Sequence, residues 1–193
     1  MTELILVLIS AALANNLVLH QALAIDPALQ PADAAARPRV HALGLATLLL
    51  IVLTVVPGQL LVEYGLRPLQ LDSLRLFVFL PLCVLLINPV LGLLQRQLPN
   101  WPFSGLKPLL LGNAALLGLC LQINNATPGP LTTLAVCLGS GLGFWLVLGL
   151  LDDLHQRTEH DAIPLPFRGL PITLIGAGIM AMGFLGLNGL FGS

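Results

Sequence analysis

The sequence predicts an all-α integral membrane protein of six transmembrane helices, and three observations carry that prediction. Hydrophobic residues make up 56% of the 193 residues and charged residues only 9%. A water-soluble domain carries roughly a quarter charged residues, so this chain has too few to build a water-facing surface. The apolar residues fall into six stretches, each near the ~20 residues that cross a bilayer core of ~30 Å. Runs such as LGLATLLLIVLTVV lack the alternation of a barrel strand, and only helices or closed barrels satisfy their backbone in lipid.

The basic residues give the third observation and an orientation. Arg37, Arg39, Arg96, Lys107, Arg157 and Arg168 lie in or beside the first, third and fifth breaks between stretches. Only Arg67 and Arg75 flank the second break, and the fourth has none. Cytoplasmic loops collect Lys and Arg, so the odd-numbered breaks are expected inside and both termini in the periplasm. The basic residues make no patch of the kind that binds nucleic acid, and none is expected as a partner. The expected solvent is the lipid of a bilayer.

Span one is expected at about 4–25. Met1-Thr2-Glu3 lacks the positive n-region of a secretory signal, so this stretch reads as a retained span. Asp26-Pro27 ends it. Span two is expected at about 42–62, and Arg67-Pro68 follows it. Span three covers about 74–94, and Pro99, Trp101 and Pro102 mark a break suited to the membrane interface. Span four covers about 106–123, closed by the uncharged turn NNATPGP. Span five is expected at about 131–151 and span six at about 170–191. The fifth break, 152–169, holds four acids, two His and two Arg and reads as the most water-exposed piece.

An internal repeat is expected, with halves at about 1–97 and 98–193. ALANNLVLHQALAI in span one echoes LLLGNAALLGLCLQI in span four, and Asn16 and Asn113 are 113 − 16 = 97 residues apart. Three spans per copy invert the second half relative to the first. Inverted repeats place interrupted helices near the midplane, so spans one and four are expected to be broken.

The polar residues at membrane depth follow from this. Asn15, Asn16 and Asn113 are costly in hydrocarbon unless their hydrogen bonds are made. Two readings stay open and are compatible: glue between helices, or caps on the freed backbone of half-helices. His20, four residues after Asn16 on the same face, reads as a hydrogen-bonded interface residue with a proton relay as the alternative. Gly139 and Gly143 form a GxxxG pair, a surface for close helix approach in lipid. Cys83, Cys120 and Cys137 make no CxxC pair and read as small packing residues.

The segments LANNLVLHQALAIDP, LGNAALLGL and PFRGLPITLIGAGIMAMGFLGLNGL together resemble the RnfA/NqrE family, membrane subunits of the Rnf electron-transport complex and of the sodium-pumping quinone reductase. The likeness runs through essentially the whole chain, and Pro166-Phe167-Arg168-Gly169 is its most specific part. It favours the RnfA branch over the paralogous RnfE.

The resemblance implies six helices in two inverted halves. It implies pairing with an RnfE-like subunit of opposite orientation, beside the B, C, D and G subunits. It also implies a complex that passes electrons between ferredoxin and NAD and couples this to moving Na⁺ or H⁺. The chain alone is not expected to be catalytic. Arg168 would anchor the cytoplasmic start of span six.

The family shares a [2Fe–2S] cluster between the paired subunits. One cysteine comes from an LGLCP pattern after span one and one from an NCxxLG pattern in span four. Here those positions hold Asp26 and Ala114. Such clusters are held by thiolates, and a methyl group cannot ligate iron. Cys120 lies six residues past Ala114, about 9 Å along a helix, too far to take its place. Three outcomes stay open: a complex without this cluster, a cluster held by the partner subunit and other groups, or a redox-silent scaffold paralogue, the first and third being favoured. An independent secondary transporter is the rival from another class.

Overall fold

The structure is a computed structural model that describes residues 2–14, 16, 37–68, 71, 74–103, 105–113, 115–119, 122, 129–158 and 164–191. Most of the described residues are helical, and none of them is in a strand. Helix α1 is Thr2–Ile9 and runs into a π-helical turn, Ser10–Ala14. Helix α2 is Arg37–Leu61, extended by a second π turn, Val62–Leu66. Helix α3 is Arg75–Gln97 and α4 is Lys107–Leu111. Helix α5 is Pro130–Thr158. A 3₁₀ turn, Leu165–Phe167, precedes α6, Leu170–Phe191.

Three of these helices are long and apolar enough to cross a membrane: Pro38–Leu66, Arg75–Gln97 and Pro130–Thr158. Shorter apolar helices occupy Glu3–Leu13 and Leu170–Gly186, and the fourth apolar segment is helical at 107–111 and again at 115–119.

Helices α2 and α5 form the centre and pack on each other more extensively than any other pair. Gly139, Gly141, Gly143 and Ser140 are all buried on α5. Their small side chains let the neighbours close in, the means by which helices associate where lipid removes the hydrophobic drive. Gly141 lies against Leu48, and Gly44 lies under the indole of Trp145. The outer faces are apolar and open: Phe77 and Leu85 on α3, and Ile179 and Met182 on α6, are all exposed. A face of this kind suits hydrocarbon rather than water.

Contacts along the helices fix their directions. Trp145 Nε1 donates to His41 Nδ1 at 3.0 Å, while Thr133 donates to Gln59 Oε1 at 2.7 Å, so α2 and α5 are antiparallel. Leu8 sits at Gly139 and Ala12 at Gly143, so α1 is parallel to α5. Arg39 lies beside Gly105 and Thr47 beside Asn113, an offset of 66 at both places, so α4 is parallel to α2. Phe79 on α3 packs against Gly58 near the far end of α2. Helix α6 starts beside the end of α5, where His155 Nδ1 and Thr173 Oγ1 are 3.1 Å apart and Leu154 covers Gly176.

Two boundaries differ clearly from the sequence reading: α2 begins at Arg37, five residues before the expected 42, and α5 runs on past 151. The fifth break was expected to begin at residue 152, but α5 continues to Thr158. Gln156 Nε2 donates to Asp152 Oδ2 at 3.0 Å, and Arg157 pairs with Asp153 at 2.8 Å. These i,i+4 pairs, each worth about 0.2–0.5 kcal/mol, sustain the helix beyond its apolar part. Thr158 Oγ1 then bonds the Leu154 carbonyl at 3.0 Å near its end.

Candidate functional site

Two buried asparagines stand where helices stop. The backbone of α1 widens into the π turn Ser10–Ala14, and Asn16 beyond it is not helical. Turns of this type recur at functional sites because they re-aim side chains. The Asn16 side chain folds back, and its Nδ2 donates to the Ala12 carbonyl at 2.8 Å. That carbonyl also lies against Gly143, where a Cβ would stand 2.8 Å from Asn16 Nδ2.

Helix α4 is a single short piece. It closes at Gly112, whose N–H donates to the Pro108 carbonyl at 3.0 Å. Asn113 follows outside the helix, and a second helical stretch covers 115–119. Asn113 serves both sides of this gap. Its backbone N–H donates to the Leu110 carbonyl at 3.3 Å, and its Oδ1 accepts from the Ala115 N–H at 3.1 Å. That second bond caps the helical stretch that follows. Its Nδ2 donates to Thr47 Oγ1 on α2 at 3.3 Å. Cap and interhelical bond thus meet in one side chain.

The two asparagines lie at similar depth. Asn16 is level with Gly143, Asn113 is level with Thr47, and Leu48 is level with Gly141. Gly141 and Gly143 are about 3 Å apart along α5 at ~1.5 Å per residue. Asn16 and Asn113 therefore lie within about one helical turn of each other in depth. Asn16 is 1% exposed and Asn113 4%, so both amides are removed from solvent.

Sequence reasoning missed Thr47, which belongs to this layer, and Thr54, about two turns further along α2. Both are fully buried on α2. Thr47 receives the Asn113 amide, and the Thr54 hydroxyl has no hydrogen-bond partner. Their spacing of seven residues puts them on one helix face, and that spacing is the signal that could have found them.

Arg168 is exposed and closes the 3₁₀ turn just ahead of α6, its N–H donating to the Leu165 carbonyl at 3.3 Å. Cys83 and Cys137 are buried thiols in α3 and α5. Asn15, His20, Asp26, Ala114 and Cys120 lie outside the described residues. Among the described residues no group of three or more His, Cys, Asp or Glu could hold a metal ion. The layer around Asn16 and Asn113 instead presents amides, hydroxyls and backbone carbonyls. Such groups stabilise interrupted helices and offer neutral oxygen ligands; they do not exchange protons near neutral pH.

Comparison with known proteins agrees with the architecture. Residues 4–191 match the family described as Rnf-Nqr subunit, membrane protein. The A-type subunit of the ion-translocating oxidoreductase complex of Pseudomonas paraeruginosa is 36% identical, the match covering 98% of each chain. Its namesake from Alkalilimnicola ehrlichii is 34% identical over 98% of each chain. That from Vibrio campbellii is 31% identical, covering 98% of this chain and 99% of the relative. With a match over residues 4–191 and relatives aligned over nearly their full length, the chain belongs to the Rnf-Nqr family of membrane subunits.

Proposed function

We propose that this protein is the A-type membrane subunit of an Rnf-type complex. In this reading it pairs with a homologous, oppositely oriented subunit. The assembled complex couples electron transfer between ferredoxin and NAD to movement of Na⁺ or H⁺. The observation that carries the reading is the pair of buried asparagines, Asn16 just past the π turn that ends α1 and Asn113 in the break of the fourth apolar segment, set at one depth in a membrane protein whose relatives are named for an ion-translocating oxidoreductase. The helix directions support six alternating crossings: α1 and α5 run one way, α2 and α4 the other. Interrupted helices at matched depth are how membrane proteins bring backbone polar groups to the midplane, where ions pass.

The family's shared [2Fe–2S] cluster does not fit this chain. Its ligand positions hold Asp26 and Ala114. Alanine offers no donor, and a carboxylate is a poor substitute for a thiolate. Cys83 on α3 and Cys137 on α5 pack into the apolar core, on helices other than those that carry the family ligands. The reading is therefore a subunit that contributes shape and ion-facing polar groups and supplies no thiolate to a shared cluster. The same replacements favour a redox-silent scaffold paralogue as a second reading.

Tagged chain purified from native membranes tests both readings. The proposed function predicts copurification of other complex members, a homologous membrane subunit among them. It predicts no [2Fe–2S] spin-resonance signal that depends on Asp26. A chain stable alone or only as a homodimer contradicts the complex. A reduced cluster signal abolished by Asp26→Ala contradicts the lost cluster. Unchanged electron transfer by a complex in which Asp26 and Asn16 are replaced selects the scaffold.

A further inference from the structure

Of the described carboxylates, Glu63, Asp153 and Asp152 are spent in local pairs, with Arg67, Arg157 and Gln156, and Glu3 lies at the start of α1. Among the described residues, Arg39, Arg96 and Lys107 make no ion pair or hydrogen bond through their side chains. Arg96 ends α3, where a cation is favoured by the helix dipole. Arg39 and Lys107 have no such local explanation, and the fold brings their segments together. Arg39 Nη2 is 3.8 Å from where a Cβ on Gly105 would stand, and Lys107 is two residues further on. Gly105 holds φ at 84°, a left-handed turn that keeps the loop close to α2. Trp101 stacks on the buried Phe103 in the same loop, with ring centroids 6.3 Å apart and planes 18° apart.

The depth of these cations decides what they meet. The apolar part of α2 centres near Val52. Arg39 lies 52 − 39 = 13 residues away, about 20 Å at ~1.5 Å per residue. The offset of 66 places Lys107 level with residue 41, about 16 Å from the same centre. A hydrocarbon core of ~30 Å ends about 15 Å from the centre, and the headgroups extend to about 20–22 Å. Both cations thus fall in the headgroup layer, and the loop that leads to Lys107 carries a tryptophan of the kind that seats there.

We propose that Arg39 and Lys107, with Trp101 in the loop that leads to Lys107, form a site for the phosphate of an anionic phospholipid of the surrounding bilayer. The site clamps the α3–α4 loop to the start of α2 from the membrane side. The inference rests on membrane embedding and is independent of any redox role. Basic residues between helix ends on the cytoplasmic side recognise lipid headgroups through charge and phosphate geometry.

Native mass spectrometry of the purified complex, with phosphatidylglycerol titrated against phosphatidylcholine, tests it. The parent should retain phosphatidylglycerol selectively. An Arg39→Gln/Lys107→Gln double variant should bind it about tenfold more weakly. Arg157→Gln, which removes a cation already paired, should leave binding unchanged. The charge-keeping Arg39→Lys/Lys107→Arg variant should retain most of it. In the parent, rising ionic strength should release phosphatidylglycerol and leave phosphatidylcholine unaffected, a readout independent of how the variants fold.

Equal retention by the parent and the double variant overturns the site. Equal competition by inorganic phosphate shows that the source is a free anion and overturns the lipid assignment. Loss of cytoplasmic subunits from the double-variant complex with lipid binding unchanged overturns it in favour of a protein partner.

Discussion

Asn113 donates its amide to Thr47 Oγ1 at 3.3 Å, a bond between side chains 66 residues apart. The same residue accepts the Ala115 N–H at 3.1 Å and so holds the second helical stretch in place. One buried amide therefore joins α2 to the two pieces of the fourth apolar segment. Removing it orphans a backbone donor and a hydroxyl together, which costs more than losing one exposed hydrogen bond.

Asn113→Leu is accordingly expected to destabilise the protein by about 1–3 kcal/mol. Thr47→Val, which removes only the shared partner, should cost less, with a coupling near ~0.6 kcal/mol, the average for such pairs in membrane proteins. A double-mutant cycle followed by denaturant unfolding in micelles measures both. Strict additivity would show that the two side chains do not communicate.

Gly143 has no room for a side chain, because its Cα faces the Ala12 carbonyl and Asn16 Nδ2. Gly143→Val should lower thermal stability clearly and loosen α1, seen as faster protease cleavage near its end. Gly183 has open space around it. Gly183→Ala should be neutral or stabilising by up to ~1 kcal/mol, since alanine is the better helix former. Equal effects at the two positions would contradict the packing.

Gly105 and Gly169 adopt φ of 84° and 76°. Alanine at either position would force a left-handed conformation costing about 1–2 kcal/mol. Gly65, which has open space and lies outside the left-handed region, serves as the comparison. Thermal shifts of Gly105→Ala and Gly65→Ala measured side by side check this. The first should fall and the second should change little.

His155 and Thr173 join the end of α5 to the start of α6, and Thr173 Oγ1 also donates to the Gly169 carbonyl at 3.1 Å. Thr173→Val is expected to cost about 1 kcal/mol through the lost bonds. Hydrogen exchange should then accelerate at the start of α6 and not in α2. Uniform acceleration would mean that this contact has no local role.

Much of the fold could be read from composition and charge. Helices α3, α5 and α6 begin within one residue of the positions that hydropathy predicts, because lipid punishes any unsatisfied backbone. The end of α5 could not be read that way. Hydropathy falls at Asp152, but Asp152–Gln156 and Asp153–Arg157 pairs carry the helix on in water. Asn16 and Asn113 stood out because an amide in an apolar run demands a partner. Their partners did not: the Ala12 carbonyl leaves no trace in sequence, and Thr47 is an unremarkable residue on another span. The nearness of Arg39 to Gly105 was invisible for the same reason, since it depends on a register between segments far apart in the chain.

Side-specific labelling tests most directly whether this chain crosses the membrane in alternation with its basic breaks inside. Tyr64 is 78% exposed at the far end of α2, and Arg157 is exposed near the end of α5. In intact cells, a membrane-impermeant maleimide should modify a Tyr64→Cys variant above the parent background. An Arg157→Cys variant should react only after the inner membrane is opened. The reverse pattern, or reaction of both positions from one side, would contradict the proposed arrangement.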